Sequence, residues 1–134
     1  MQDIKLALFY GLLGLVVGGI GLYGSAYIIY GSMPPETMFS PLPMWAILPA
    51  LLIMPFSIAI VEAPLYMGYA LPRLQSLLNS KSLAIIITSF ALACQHIVLP
   101  LIFDWDFMLW RLFSFIPVAL LLAIIFLKTK RLFP

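Results

Sequence analysis

The chain is organised around residues 62–73, which read Glu-Ala-Pro-Leu-Tyr-Met-Gly-Tyr-Ala-Leu-Pro-Arg. Glu62 is a carboxylate inside a long apolar segment, just before a stretch broken by two prolines and a glycine. A carboxylate at membrane depth is costly and rare, so it marks a candidate functional site. The alternative is structural: Glu62 is neutral, or is hydrogen-bonded to Tyr66 one turn on, and only holds the helices together.

The composition is that of an integral membrane protein. Of the 134 residues, 64% are hydrophobic and 9% are charged, whereas soluble domains carry about 25% charged residues. Disorder is excluded, because disordered chains combine low hydrophobicity with high net charge. The lysines and arginines lie at the ends of apolar segments and form no patch. The expected partner is therefore the lipid bilayer and not a nucleic acid.

Four apolar segments are long enough for the roughly 18–20 residues that cross a bilayer as a helix. They cover about residues 4–30, 44–71, 82–103 and 107–127. A spanning segment must satisfy its backbone hydrogen bonds internally, so we predict an all-α bundle of four transmembrane helices in one domain, residues 1–134. A break is expected near Pro64, and Asp106 is a candidate N-cap of the last helix. Turn-forming residues place the connections at 31–43, 72–82 and 104–106.

The charged residues predict the orientation of this bundle. With a cytoplasmic N-terminus, six of the seven basic residues fall on the inner side, and Arg111 falls on the outer side with the acidic loop residues. The positive-inside rule therefore favours cytoplasmic N- and C-termini. The six inner residues are Lys5, Arg73, Lys81, Lys128, Lys130 and Arg131.

Small residues form a stripe along the first predicted helix. Their offsets of 3, 4, 3 and 4 residues place them on one face, where another backbone can approach closely. We interpret the stripe as a helix-packing surface, used either by neighbouring helices of the same chain or by a second copy in a homodimer. The stripe consists of Gly11, Gly14, Gly18, Gly21 and Ser25.

A second polar group interrupts the third predicted helix at Gln95 and His96. Both side chains need partners in lipid, and a histidine can also bind a metal or transfer a proton. Counted from the inner ends of their helices, Glu62 and His96 differ in depth by about 6 Å, which a helix tilt can bridge. We therefore predict that both face one intramembrane cavity, which Tyr66, Tyr69 and Gln95 also line.

The order of these features resembles the CPBP family, the CAAX-protease and bacteriocin-processing membrane proteins. The resemblance covers about residues 45–134 and rests on three stretches. They are Gly-Tyr-Ala-Leu-Pro-Arg-Leu after Glu62, Gln-His-Ile-Val-Leu-Pro at His96, and the basic Lys-Arg-Leu-Phe-Pro. The resemblance implies an intramembrane metalloprotease in which Glu62 and His96 are catalytic residues and ligands of a divalent metal such as zinc.

Several motif positions depart from the family pattern. The first motif, Glu-Glu-Xaa-Xaa-Xaa-Arg, begins at Glu62 but places its second glutamate on Ala63 and its arginine on Met67. The second motif, Phe-Xaa-Xaa-Xaa-His, ends at His96 but places its phenylalanine on Leu92. The third motif is expected on a helix after Lys-Arg-Leu-Phe-Pro, so the matching region resembles a domain without its last helix. A catalytic metal takes about three protein ligands, and the motif positions here supply two.

The sequence therefore predicts a catalytically degenerate CPBP-like protein whose polar cavity binds a membrane peptide or a partner helix. One alternative is an active intramembrane metallopeptidase whose missing ligands come from oligomerisation. Another is a small four-span structural or accessory subunit, in which Glu62 and His96 only pack the bundle. For all three, the expected location is the plasma membrane of a bacterium.

Overall fold

The chain is helical throughout the regions that the structure describes. The computed structural model describes residues 2–35, 43–97 and 102–131, and no strand occurs within these ranges. This confirms the all-α prediction. In chain order the elements are α1 (Gln2–Tyr30), α2 (Met44–Glu62), a π-helical segment (Ala63–Ala70), α3 (Leu71–Leu78), α4 (Lys81–Ile97) and α5 (Trp105–Thr129).

Two helices in the described part have the length and apolar composition of membrane spans. They are Ile4–Tyr30 and Trp105–Thr129, of 27 and 25 residues. α4 is also apolar but has 17 residues, fewer than the roughly 20 that a helix needs to cross the hydrocarbon core. The four-span bundle and the cytoplasmic termini stay predictions.

Helix α5 is the centre of the bundle, with α1 packed along one side and α4 along another. The indole N–H of Trp110 donates to the carbonyl oxygen of Leu22 at 3.0 Å. Gly18, one turn before Leu22, meets Val118, two turns after Trp110. α1 and α5 are therefore antiparallel.

The glycine stripe of α1 divides into two parts. A Cβ atom added to Gly21 would lie 2.5 Å from the carbonyl oxygen of Ser114, and one added to Gly18 would meet α5 at 3.4 Å. Among the described residues, nothing lies within 4 Å of a Cβ added to Gly11 or Gly14. Gly18 and Gly21 thus pack within the chain, and a homodimer face stays a prediction for Gly11 and Gly14.

The helical run that begins with α2 continues through the break expected near Pro64. From Ala63 to Ala70 it is π-helical, and the N–H of Leu71 donates to the carbonyl oxygen of Tyr66, five residues back. A proline has no N–H, so the α-helical hydrogen-bond pattern is interrupted at Pro64. A π-helical turn accommodates the interruption by moving the bonds to the i→i+5 pattern, and such turns are frequent beside functional sites.

The connection predicted at residues 72–82 is shorter than expected, because α3 extends to Leu78 and α4 begins at Lys81, which leaves residues 79–80 outside the helices. Leu71 is fully buried and belongs to the same apolar cluster as Ala84 of α4. This packing keeps the segment helical after the π-helical segment. The helix ends where Asn79 adopts a left-handed conformation, with φ of 49°, a conformation that asparagine tolerates better than most residues.

The boundaries of α4 and α5 also differ from the prediction. α4 ends at Ile97, and residues 102–103, expected inside the third span, are not helical. α5 begins earlier than expected because Asp104 is its N-cap: one carboxylate oxygen accepts from the N–H of Phe107 at 2.7 Å. The prediction of Asp106 as the cap is therefore wrong.

Candidate polar site between the π-helical segment and α4

A chain of hydrogen bonds links the end of α2 and the π-helical segment to the last turn of α4. The amide of Gln95 donates from Nε2 to Oε1 of Glu62 at 2.7 Å. The hydroxyl of Tyr66 donates to Oε1 of Gln95, also at 2.7 Å. Glu62 and Tyr66 are one turn apart, so both reach the same amide. Gln95 is held at both ends and orients the Glu62 carboxylate.

The imidazole of His96 is oriented by its own helix. Its Nδ1 lies 2.9 Å from the carbonyl oxygen of Leu92. Since a carbonyl oxygen only accepts, Nδ1 carries the hydrogen, and in the neutral ring Nε2 is left with a lone pair. Nε2 lies 3.7 Å from Oε2 of Glu62, which is too long for a hydrogen bond. With a neutral ring two acceptors therefore face each other, whereas a protonated ring would form an ion pair with Glu62. We call Glu62 Oε2 and His96 Nε2 the acceptor pair.

The acceptor pair is largely but not completely buried. The side chains of His96 and Glu62 are 13% and 17% accessible. Withdrawing an acceptor from water costs free energy unless a donor replaces the water. The pair is thus suited to a shared donor, such as an N–H or O–H group or a cation, that reaches both atoms at once.

Helix α5 contributes two residues that the sequence analysis did not place at the site. The ring of Phe115 stacks on the imidazole of His96, with 3.8 Å between centroids and 23° between planes. Nε of Arg111 donates to the carbonyl oxygen of His96 at 3.2 Å, and its guanidinium carbon lies 4.8 Å from the Phe115 ring centroid. The signal available in the sequence was the spacing of four residues, which puts Arg111 and Phe115 on one face of a helix.

The structure brings four of the five predicted cavity residues together: Glu62, Tyr66, Gln95 and His96. It places Tyr69 elsewhere. Tyr69 is 56% exposed, and its hydroxyl accepts from Arg73 at 2.8 Å, with the guanidinium carbon 4.6 Å from its ring centroid.

The two departing positions of the first family motif add no polar group to the site. Ala63 has no polar side chain where the family pattern has its second glutamate. Met67, at the arginine position, is 3% exposed and packs in an apolar cluster with Leu71, Ala84 and Leu92. The side chain at the arginine position therefore belongs to the apolar core.

The side chains of the polar site are too few to form a catalytic metal site. Across the described ranges, no three His, Cys, Asp or Glu side chains are grouped so that they could hold one ion. Glu62 and His96 supply two metal ligands, whereas a catalytic zinc ion takes about three protein ligands and an open position. The divalent metal that the family resemblance implies therefore lacks a third ligand in this part of the chain.

An apolar groove lies on another face of α5, against α1. Its volume is about 430 Å³, and its lining includes Gly24, Ile28 and Phe113. The lining is almost entirely hydrocarbon, so the groove is chemically unlike the polar site. The cavity predicted around Glu62 and His96 stays a prediction.

Comparison with known proteins identifies the family. The profile of the type II CAAX prenyl endopeptidase Rce1-like family matches residues 43–134, about two thirds of the chain. The chain belongs to this family. The Rce1-like match confirms the CPBP resemblance, and with the two long apolar helices it indicates an integral membrane protein. No curated protein and no solved structure matches the chain.

The Rce1-like region contains both halves of the polar site. Glu62 and His96 lie inside it, as do Arg111 and Phe115, whereas α1 precedes it. The contact of α1 with α5 therefore joins a segment outside the family match to the helix that supports His96.

Proposed function

We propose that this Rce1-like chain binds a membrane peptide or a partner helix through its polar site without cleaving it. The observation that supports this is the acceptor pair, whose two atoms face each other at 3.7 Å. Beside it, the motif positions for a second carboxylate and an arginine are Ala63 and Met67. The site keeps the means to bind a donor and lacks much of the means to hydrolyse a peptide bond.

Binding follows from the chemistry of the acceptor pair. Glu62 Oε1 is already engaged by Gln95, so Oε2 is the oxygen directed at His96. An ammonium, guanidinium or side-chain amide group of a bound segment has two or more hydrogens and would satisfy Oε2 and Nε2 together, whereas a backbone N–H has one hydrogen for the two. A hydrogen bond to a charged group contributes about 1.5–3 kcal/mol, enough to select one segment over an apolar competitor.

The lack of cleavage follows from the groups that hydrolysis requires. A peptidase must stabilise the negative charge that develops on the attacked carbonyl oxygen, usually with donors placed in advance. Met67 has no donor and is directed into the apolar cluster. Arg111 contacts His96, but its Nε donates to the His96 carbonyl and its guanidinium lies over Phe115.

The 3.7 Å separation of Glu62 Oε2 and His96 Nε2 also favours a second function, peptide hydrolysis. A water molecule beside the pair can lie about 2.8 Å from both acceptors and donate one hydrogen to each, and a carboxylate can take its proton as the water attacks a carbonyl carbon. The family name describes a prenyl endopeptidase, so the substrate would be a prenylated CAAX peptide. The groups that stabilise the oxyanion would then come from a second subunit or from residues outside the described ranges.

The test uses the purified full chain in lipid nanodiscs and a fluorescent farnesylated CAAX peptide. Binding is followed by anisotropy, and cleavage products by mass spectrometry. The variants Glu62→Gln and His96→Ala are compared with Asp106→Asn, a carboxylate-to-amide control at an exposed position of α5. We expect the wild type and Asp106→Asn to bind without forming product. Glu62→Gln and His96→Ala should bind at least about tenfold more weakly, because each loses an acceptor for the shared donor.

Other outcomes separate the alternatives. Product formation by the wild type that disappears in Glu62→Gln and His96→Ala would establish the peptidase. Stoichiometric zinc in the wild type, lost in both variants, would establish a metal site completed by further ligands. Equal peptide binding by all four proteins, with lower thermal stability in the two site variants, would establish the structural or accessory role.

We place the chain in the plasma membrane of a bacterium with both termini cytoplasmic. Antiparallel packing puts Lys5, at the start of α1, at the same end of the bundle as Lys128 and Lys130. Asp104 and Asp106 lie at the opposite end of α5. This segregation supports the orientation under the positive-inside rule. A membrane-impermeant thiol reagent should label Thr129→Cys in opened vesicles, and labelling in intact cells would reverse the orientation.

A further inference from the structure

We propose that Phe115 of α5 is a positioning residue whose ring fixes the plane of the His96 imidazole, so that Nε2 faces Glu62 Oε2. The inference rests on the proposed function, because it concerns the same acceptor pair. It adds a residue of α5 to a site otherwise built from α2, the π-helical segment and α4.

The argument begins with the freedom of the imidazole. The bond from Nδ1 to the carbonyl oxygen of Leu92 holds one atom of the ring. The terminal torsion of histidine has a broad energy profile, so a single hydrogen bond leaves the ring free to swing about that atom. Stacking against Phe115, at 3.8 Å and 23°, supplies the second constraint and defines the plane. With both constraints, Nε2 has one direction, towards Glu62.

Arg111 holds the backbone of the same histidine. The last carbonyl groups of an α-helix have no partner within the helix, and the carbonyl of His96 lies in the last turn of α4. Nε of Arg111 donates to it at 3.2 Å, while the guanidinium covers Phe115 with 4.8 Å to the ring centroid. Residues four apart on α5 thus hold the backbone and the ring of His96, and Arg111 in turn keeps Phe115 in place.

The simpler interpretation is that Phe115 only fills space between α4 and α5. The two interpretations differ in what they require of residue 115. Packing requires apolar volume, which leucine supplies, whereas positioning requires a flat face. Phe113 offers a matched control: it is a half-exposed phenylalanine of the same helix that lines the groove against α1.

The experiment exploits the fact that the sequence contains one histidine. Labelling with ¹⁵N-histidine therefore gives ring-nitrogen NMR signals from His96 alone, in the full chain in lipid nanodiscs. We expect the wild type to show one tautomer, with hydrogen on Nδ1 and none on Nε2. Phe115→Leu should keep the hydrogen on Nδ1, because the bond to the Leu92 carbonyl remains, but ring motion should reduce the chemical-shift anisotropy of the ring nitrogens. Phe115→Trp and Phe113→Leu should retain the wild-type anisotropy.

The wild type alone provides a second measurement, in case Phe115→Leu does not fold. Stacking on Phe115 shifts the ring protons of His96 upfield through the ring current, and unshifted protons would overturn the proposal. A wild-type chemical-shift anisotropy of the ring nitrogens in folded Phe115→Leu would overturn it as well.

Peptide binding measured on the same samples separates this inference from the proposed function. An ordered His96 ring in a protein that binds no peptide would refute the binding function and leave the role of Phe115 standing. Peptide binding that weakens in Phe115→Leu but not in Phe113→Leu would support both.

Discussion

The contact between α1 and α5 and the site between the π-helical segment and α4 both place polar groups between apolar helices, but their donors and acceptors are balanced differently. The hydroxyls of Ser25 and Ser114 lie 2.8 Å apart, and Ser114 also donates to the carbonyl oxygen of Trp110 at 2.6 Å. At the site, Glu62 and His96 present two acceptors to each other at 3.7 Å. Within the described ranges both hydroxyl donors of the first arrangement have an acceptor, whereas no donor reaches Glu62 Oε2 or His96 Nε2 at the second. A count of donors and acceptors thus distinguishes a polar contact that joins two helices from one that has acceptors to spare.

The largest expected effect tests whether position 67 belongs to the polar site or to the apolar cluster. Met67→Arg restores the arginine of the family motif but places a charge in the apolar cluster, so the free energy of unfolding should fall by about 3 kcal/mol. Met33→Arg, at an exposed position after α1, should change it little. Unfolding in detergent, followed by circular dichroism, compares the two. A stable Met67→Arg protein that cleaves the prenylated peptide would show that position 67 belongs to the site.

The second effect concerns the close approach of α1 to α5. Gly21→Ala brings a methyl group within 2.5 Å of a backbone oxygen of Ser114, and separating the helices should lower the free energy of unfolding by about 1–3 kcal/mol. Gly14→Ala meets nothing among the described residues and should raise it by up to about 1 kcal/mol, because alanine is the better helix former. The reverse ranking, with a change in oligomeric state for Gly14→Ala, would assign the stripe to a homodimer.

The third effect is a gain in the free energy of unfolding, whereas the loss of a hydrogen bond would lower it. In Glu62→Gln the side-chain oxygen still accepts from Gln95, while the new amide N–H supplies the donor that His96 Nε2 lacks. The free energy of unfolding should rise by about 1 kcal/mol, although peptide binding falls. Asp106→Asn, exposed and outside the site, is the control. A loss of stability in Glu62→Gln would mean that the carboxylate is already satisfied within the protein, which would remove the contrast between the two regions.

The smallest effect tests the region whose donors are all used. Ser114→Ala removes the bonds to Ser25 and Trp110 and should lower the free energy of unfolding by about 0.6 kcal/mol, the average for hydrogen bonds between transmembrane helices. Ser76→Ala, on the exposed side of α3, should be neutral. Double-mutant analysis with Ser25→Ala measures the coupling, and a coupling of zero would leave close packing at Gly21 as the main attraction between α1 and α5.

Local sequence features predicted the polar residues of the site better than the ends of the helices. Glu62 and His96 stand out because each is a polar residue in an apolar segment, and that contrast is visible without coordinates. The connection expected at residues 72–82 is reduced to residues 79–80, because Leu71 is buried against α4 and α3 stays helical to Leu78. Prolines predict an interruption of the α-helical hydrogen bonds. Which conformation the backbone adopts at the interruption, here π-helical, depends on neighbouring helices.

Sequence alone establishes the helical, apolar character of the chain, its family, and Glu62 and His96 as candidate site residues. Composition and motif spacing are properties of neighbours along the chain, so they need no coordinates. The tertiary structure decided the rest. In the folded chain Gln95 is bonded to Glu62, Phe115 stacks on His96, and the Tyr69 hydroxyl accepts from Arg73. Only part of the glycine stripe of α1 packs against α5. These partners lie on different helices or depend on the turn a helix makes, and an apolar helix carries no local signal that selects which face meets which neighbour.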